Sequence, residues 1–178
     1  QHCGRLEPHE VLELRGVHLT TGTRAALEVM TITGVASALV TVNGLLHNQA
    51  TTIADLKAAS PLLRNWPNSL TSGLVLGLAN PGISSAGESR LYHLCWTAGL
   101  PMPQAQVCVT GLDAGFRAYV DFAWPDLGVF MEFDGREKYF RYRRDGETLE
   151  QFVLREKRRE ELVCQLTGWV CIRVTWRD

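Results

Sequence analysis

The sequence predicts an α/β chain in two parts. A small, mainly helical region over residues 1–80 precedes a helix, a three-strand antiparallel meander, a second helix and a final strand over residues 81–178. Three observations predict it. Up to about residue 79 the apolar residues recur at helical spacing in a stretch rich in Ala, Leu, Val and Thr and poor in charge. Asn80-Pro81-Gly82 then interrupts the pattern with turn-forming residues. Beyond it, short β-branched and aromatic runs separated by Gly and Pro lie between two helical stretches.

The elements follow in order. Residues 1–20 alternate weakly (Val11, Leu12, Leu14, Val17, Leu19), as a strand belonging to something upstream would. Ala26, Leu27 and Met30 after Thr23, then Val35, Ala36, Leu39 and Val40 up to Leu46, mark two helices. The Thr52 hydroxyl caps a third, carrying Ile53, Asp55 and Leu56, and a fourth runs from about Asn68 through Leu74 and Leu78. Past the break, Ser85 begins a helix striped by Leu91, Leu94, Cys95 and Ala98 and stopped by Gly99 and Pro101. Strands are expected at Gln106–Thr110, Phe116–Ala123 and Val129–Asp134. The last helix spans Thr148–Leu166, ends at Gly168, and hands over to a strand at Trp169–Thr175.

Composition narrows the function classes. The chain has 178 residues, 46% hydrophobic and 21% charged, with a formal net charge of −1, so any attraction to nucleic acid or anionic lipid has to be local. No run approaches the length of a membrane span, and no secretory leader pattern is present, which predicts a cytoplasmic protein without a membrane partner. Five scattered cysteines without a C-x-x-C pair read as reduced thiols rather than a disulfide framework or a zinc site. Gln1 in place of Met points to a fragment or a processed chain.

Alternation decides which side chains share a face of the sheet. Phe116, Ala118, Val120 and Phe122 form one face of the middle strand, leaving Arg117, Tyr119 and Asp121 on the other. On the next strand Phe130, Glu132 and Asp134 oppose Val129, Met131 and Phe133. Asp121 and Glu132 then become near cross-strand neighbours. Like charges so close repel unless a cation lies between them, and Mg²⁺ or Mn²⁺ held by Asp121 and Glu132, with Asp134 as a third ligand, supplies one. The alternative is a solvated cluster paired with Arg117 or Arg136. Glu88 falls on the inward face of its helix, where it either serves the site or closes the Ser85-x-x-Glu88 capping box.

Between Arg136 and Arg159 nine Lys or Arg stand against five acids, a local excess of four positive charges interleaved with Tyr139, Phe140 and Tyr142. That mixture suits phosphate contact and base stacking, with Arg136, Arg141, Arg143 and Arg144 as candidate DNA-binding residues, against a solvated basic loop. Angular counting on the last helix sends Arg155, Glu156 and Arg159 toward the sheet together with Phe152, Leu162, Val163 and Leu166, and leaves Lys157, Arg158, Glu160 and Glu161 outward. Arg155 and Arg159 either neutralise sheet carboxylates or hold a phosphate, and Arg173 is a candidate to join them.

Five segments carry a resemblance: Gly87-Glu88-Ser89-Arg90, Val120 to Pro125, Glu132 to Tyr139, Glu156 to Glu160, and Gly168-Trp169-Val170 through Arg173 to Trp176. Together they resemble the very-short-patch-repair-like endonuclease domains of the PD-(D/E)xK restriction-endonuclease-like superfamily, over residues 82 to 178. The resemblance implies a restriction-endonuclease-like core and metal-dependent cleavage of DNA in repair, restriction or defence. It assigns Glu88, Asp121 and Glu132 to the catalytic acids. Where the superfamily has a lysine two positions after Glu132, this chain has Asp134; Lys138 or Lys157 is the relocated candidate. The upstream half, including Val17-His18-Leu19-Thr20-Thr21, resembles the middle region of actinobacterial type IV toxin–antitoxin antitoxin-like proteins, which implies a toxin partner; a homodimer is the other protein partner considered.

The expected activity is therefore a Mg²⁺-dependent DNA endonuclease. Its rival is a nuclease-like fold kept as a non-catalytic DNA-binding or regulatory module, motivated by the missing lysine.

Overall fold

The computed structural model describes residues 5–66, 68–111, 115–135 and 143–177. The chain is a mixed α/β protein that divides into two compact units, Gln1–His93 and Leu94–Asp178.

In the first unit β1 (Val11–Leu14) and β2 (Val17–Thr20) pair with each other, Leu12 opposite Leu19. The expected strand for an upstream sheet is thus a hairpin. The reason is Arg15-Gly16, whose φ angles of 53° and 78° build the two-residue turn that suits paired strands. Four helices follow: α1 (Gly22–Ile32), α2 (Val35–His47), α3 (Ile53–Ala59) and α4 (Ser69–Leu78). Thr21 caps α1 by accepting from the Arg24 N–H, and Thr52 caps α3 from the Asp55 N–H. Their apolar stripes meet in one core around Leu27, Met30, Leu39, Val42, Leu56 and Val75.

Helix α5 (Ala86–Thr97) spans the division. The division falls there rather than at Asn80-Pro81-Gly82 because the first half of α5 belongs to the first unit. The Asn43 side-chain amide donates to Ser89 Oγ at 3.2 Å, and Tyr92 packs on the first core.

The second unit carries β3 (Gln104–Thr110), β4 (Arg117–Trp124), β5 (Val129–Asp134), α6 (Leu149–Thr167) and β6 (Val170–Thr175). The sheet order is β3-β4-β5-β6, antiparallel across the first three strands and parallel between β5 and β6. A capping box of Thr148 and Gln151 starts α6, and Gly168, with φ 71°, ends it. Val163 of α6 packs on Val109, Ala118, Val120, Ala123 and Phe130, so one sheet face is the core against the helix.

Among the described residues no helix is long and apolar enough to cross a membrane. Cys95, Cys108, Cys164 and Cys171 are free thiols.

Candidate functional site

The regular alternation expected of β4 does not hold. Ala118 and Val120 share the helix-facing core with Ala123, so the face changes phase between Val120 and Ala123. Opposite the change, Gln106 interrupts the β3–β4 ladder with a φ of 51°. Such local breaks re-aim a side chain, and here the residue at the break is Asp121.

The β4–β5 ladder stops at Phe122 opposite Met131, while β5 continues against β6 as far as Asp134. Beyond that last pair a side chain takes over from the ladder: Asp121 Oδ2 accepts the Phe133 N–H at 2.8 Å. Both Asp121 and its neighbour across the strands, Glu132, are buried. The structure therefore places the two acids on adjoining strands, Asp121 bonded to the residue that follows Glu132.

Each acid of β5 is met by an arginine. Arg159 donates through Nη2 to Glu132 Oε1 at 2.9 Å, through Nη1 to the Tyr119 carbonyl at 3.0 Å and through Nε to Glu156 at 3.1 Å. Burial works to lower the Arg159 pKa, but the Glu132 and Glu156 carboxylates outweigh it and hold the guanidinium above its ordinary value. Arg173, opposite Glu132 on β6, bridges Asp134 at 2.6 Å and Glu160 at 2.5 Å. Burial likewise opposes its charge, and the two carboxylates raise its pKa. Asp134, expected as a third ligand, is committed to that ion pair. Among the described residues no group of three His, Cys, Asp or Glu is arranged to hold a metal ion.

A cavity of about 310 Å³ opens beside these pairs. Glu132 and Asp134 of β5, Arg173 of β6, and Glu156, Lys157, Arg159 and Glu160 of α6 line it, four acids against three bases, with Phe152 and Val153 as its apolar part. Asp121 is not in the wall. One helix residue expected outward thus turns inward, Glu160, which bonds Arg173, while Lys157 is exposed, as expected, at the edge of the cavity. Conversely, Leu162 and Leu166, expected inward, are 42% and 40% exposed. The missed signal was Glu160, one turn after the inward Glu156, which places a second acid toward Arg173.

Arg155, expected to face the sheet, is held instead by acids of its own helix and of the segment before it. It forks onto Glu147 at 2.8 and 3.1 Å, contacts Glu156 at 3.0 Å and lies over the Phe152 ring. Arg143 and Arg144 are exposed, while Arg136, Lys138 and Arg141 lie outside the described residues.

Glu88 belongs to the first unit, where its buried carboxylate accepts the Ser84 N–H at 3.0 Å and the Ser84 hydroxyl. Ser85 Oγ in turn accepts the Glu88 N–H. The Ser85 half of the expected box is thus present, while the Glu88 carboxylate reaches back to Ser84 rather than Ser85, and the two bonds account for Glu88 locally. Burial, then Glu160 and Glu132, push the Cys171 thiol up to about 12, which keeps it protonated at neutral pH.

Comparison with protein-family models, curated proteins and solved structures finds no match to the chain.

Proposed function

We propose that the second unit is the catalytic part of a DNA endonuclease that hydrolyses phosphodiester bonds with Mg²⁺ or Mn²⁺, on a core of the restriction-endonuclease-like kind. The observation that carries the reading is a pair of buried carboxylates, Asp121 and Glu132, on adjoining strands where the β4–β5 ladder gives way to a side chain. Burying acids on adjoining strands is unfavourable without cations, and a divalent ion would add to the charge that Arg159 already brings to Glu132. Helix α6 following the meander and β6 following α6 also agree with the order the resemblance implies.

Two carboxylates are what Mg²⁺ commonly takes from a protein, with water and substrate phosphate completing its shell. Asp121 and Glu132 fit that ion in type, charge and number; Asp134, tied to Arg173, does not join them. Such an ion, when bound, lowers the pKa of a water molecule and polarises the phosphate. The chain's own residues do the rest. The backbone N–H of Phe133, the residue after Glu132, holds the Asp121 carboxylate. Lys157, on the same cavity wall as Glu132, supplies the ammonium that position 134 lacks and orients a water. Arg159 counters negative charge there.

The ion pairs Glu132–Arg159 and Asp134–Arg173 favour one rival, a non-catalytic DNA-binding module. The experiment is cleavage of single-stranded, duplex, mismatched and modified DNA by the purified chain with Mg²⁺ or Mn²⁺. Cleavage that Asp121→Asn abolishes without loss of folding or DNA binding supports the endonuclease. Salt-sensitive binding with no cleavage of any substrate replaces it with the rival.

A further inference from the structure

We infer that β6 is the docking edge for a second copy of this chain: two β6 strands pair antiparallel about a two-fold axis through Ile172 and join two sheets into one. This pairing does not depend on whether the chain cleaves DNA.

The last strand of a sheet offers a row of backbone N–H and C=O groups, and proteins that leave such an edge unused blunt it with lysine, proline or a break in the strand. Among the described residues the second unit's sheet has two edge strands, β3 and β6. Gln106 blunts β3, its φ of 51° breaking the strand. The β6 strand, Val170 to Thr175, has neither proline nor break, and its one charged side chain, Arg173, is turned onto Asp134 and Glu160. Val170 and Ile172 are left 63% and 46% exposed.

The partner follows from the register. Val170 donates its N–H to the Gly128 carbonyl, so alternate residues of β6, Val170, Ile172 and Val174, spend their backbone groups on the β5 side. Cys171 and Arg173 between them aim their N–H and C=O at the open edge. In an antiparallel ladder one opposed pair exchanges two bonds and the next exchanges none. A two-fold axis through Ile172 obeys that rule: Cys171 exchanges both bonds with Arg173 of the second copy, Arg173 with its Cys171, and Ile172 stands opposite itself between them. The side chains agree. Cys171 packs in the core under α6 and Arg173 bonds Glu160 of α6, so Val170, Ile172 and Val174 share the other face. Pairing then sets Ile172 against Ile172 and Val170 against Val174, apolar on apolar, with no charge opposite its like. An axis one residue later would oppose Arg173 to Arg173. A second copy carries this match in its own sequence.

The test is sedimentation velocity of the full chain from about 1 to 100 µM, with folding followed by circular dichroism. Wild type should pass from one chain to two as concentration rises. Ile172→Lys and Ile172→Glu, each meeting its own like charge across the axis, should weaken that dimer about tenfold or more. An equal mixture of the two variants should restore it, because a two-fold axis through position 172 sets lysine against glutamate. A wild type that stays a single chain throughout, a dimer that Ile172→Lys leaves as tight as before, or a mixture no more dimeric than either variant alone overturns the inference. Should the Ile172 variants not fold, Val170→Asp, at the more exposed position, sets a carboxylate against Val174 and decides: a weakened dimer supports the pairing, and an unchanged one overturns it.

Discussion

Glu147 accepts two bonds from the Arg155 guanidinium and one from the Arg144 backbone N–H, and these, the Arg155 bonds first, bring its pKa from the usual 4.5 down to about 2. A carboxylate with a depressed folded-state pKa stabilises the fold fully above its unfolded value, and that stabilisation is lost as pH falls toward the folded value. Urea midpoints of wild type should therefore drop between pH 4.5 and about 2 more steeply than those of Glu147→Gln, with the two curves parallel above that window. Parallel curves throughout would show that the fork does not act in solution. Asp121 allows a second residue-level prediction. Its Oδ2 satisfies the buried Phe133 N–H, and an asparagine oxygen can do the same, whereas alanine leaves that donor bare. Asp121→Ala should then cost about 1–3 kcal/mol in chemical denaturation and Asp121→Asn clearly less. That difference makes Asp121→Asn the variant for the cleavage assay.

Element boundaries were legible wherever one residue type settles them: Thr52 and Thr148 as caps, Gly99 and Gly168 as left-handed stops with φ of 68° and 71°. Side-chain direction was less so. The phase change in β4 depends on Gln106 of the neighbouring strand adopting a positive φ, which no pattern within β4 encodes. Glu160 was misplaced because angular counting finds an apolar arc, while the part of α6 near Glu132 and Arg173 packs by charge. Glycine inside helices gives a matched pair of tests. A Cβ on Gly22, at the start of α1, would lie 2.3 Å from the Ala50 carbonyl oxygen, whereas one on Gly44, within α2, would meet nothing within 4 Å. Gly22→Ala should destabilise by about 1–3 kcal/mol through overpacking against backbone. Gly44→Ala should stabilise by about 0.5–1 kcal/mol by removing glycine's entropic cost. Thermal or urea unfolding of the two variants checks both signs.

At the scale of the whole molecule, the order of elements in the second unit was readable because its turns carry Gly and Pro, and the placing of Asp121 and Glu132 on adjoining strands followed from the short Trp124–Gly128 connection. The counter-charges were not readable, since Arg159 lies 27 positions from Glu132 in sequence and Arg173 lies 39 from Asp134. This division of the arginines matters for DNA. With a net charge of −1 the chain has no general attraction for a polyanion, so binding must draw on cations free of internal carboxylate bonds. Arg155, Arg159 and Arg173 are committed to Glu147, Glu132, Asp134 and their neighbours. The exposed Arg143 and Arg144, with Arg141 beside them in sequence, are the better candidates. Changing all three to Gln should weaken duplex binding regardless of sequence and flatten the plot of log affinity against log salt by about 0.9 for each DNA phosphate that is no longer neutralised. Arg155→Gln should instead lower stability through Glu147 and leave the salt slope unchanged. Fluorescence anisotropy across a salt series separates the two effects; an unchanged slope in the triple variant would move the DNA-binding surface away from this segment altogether.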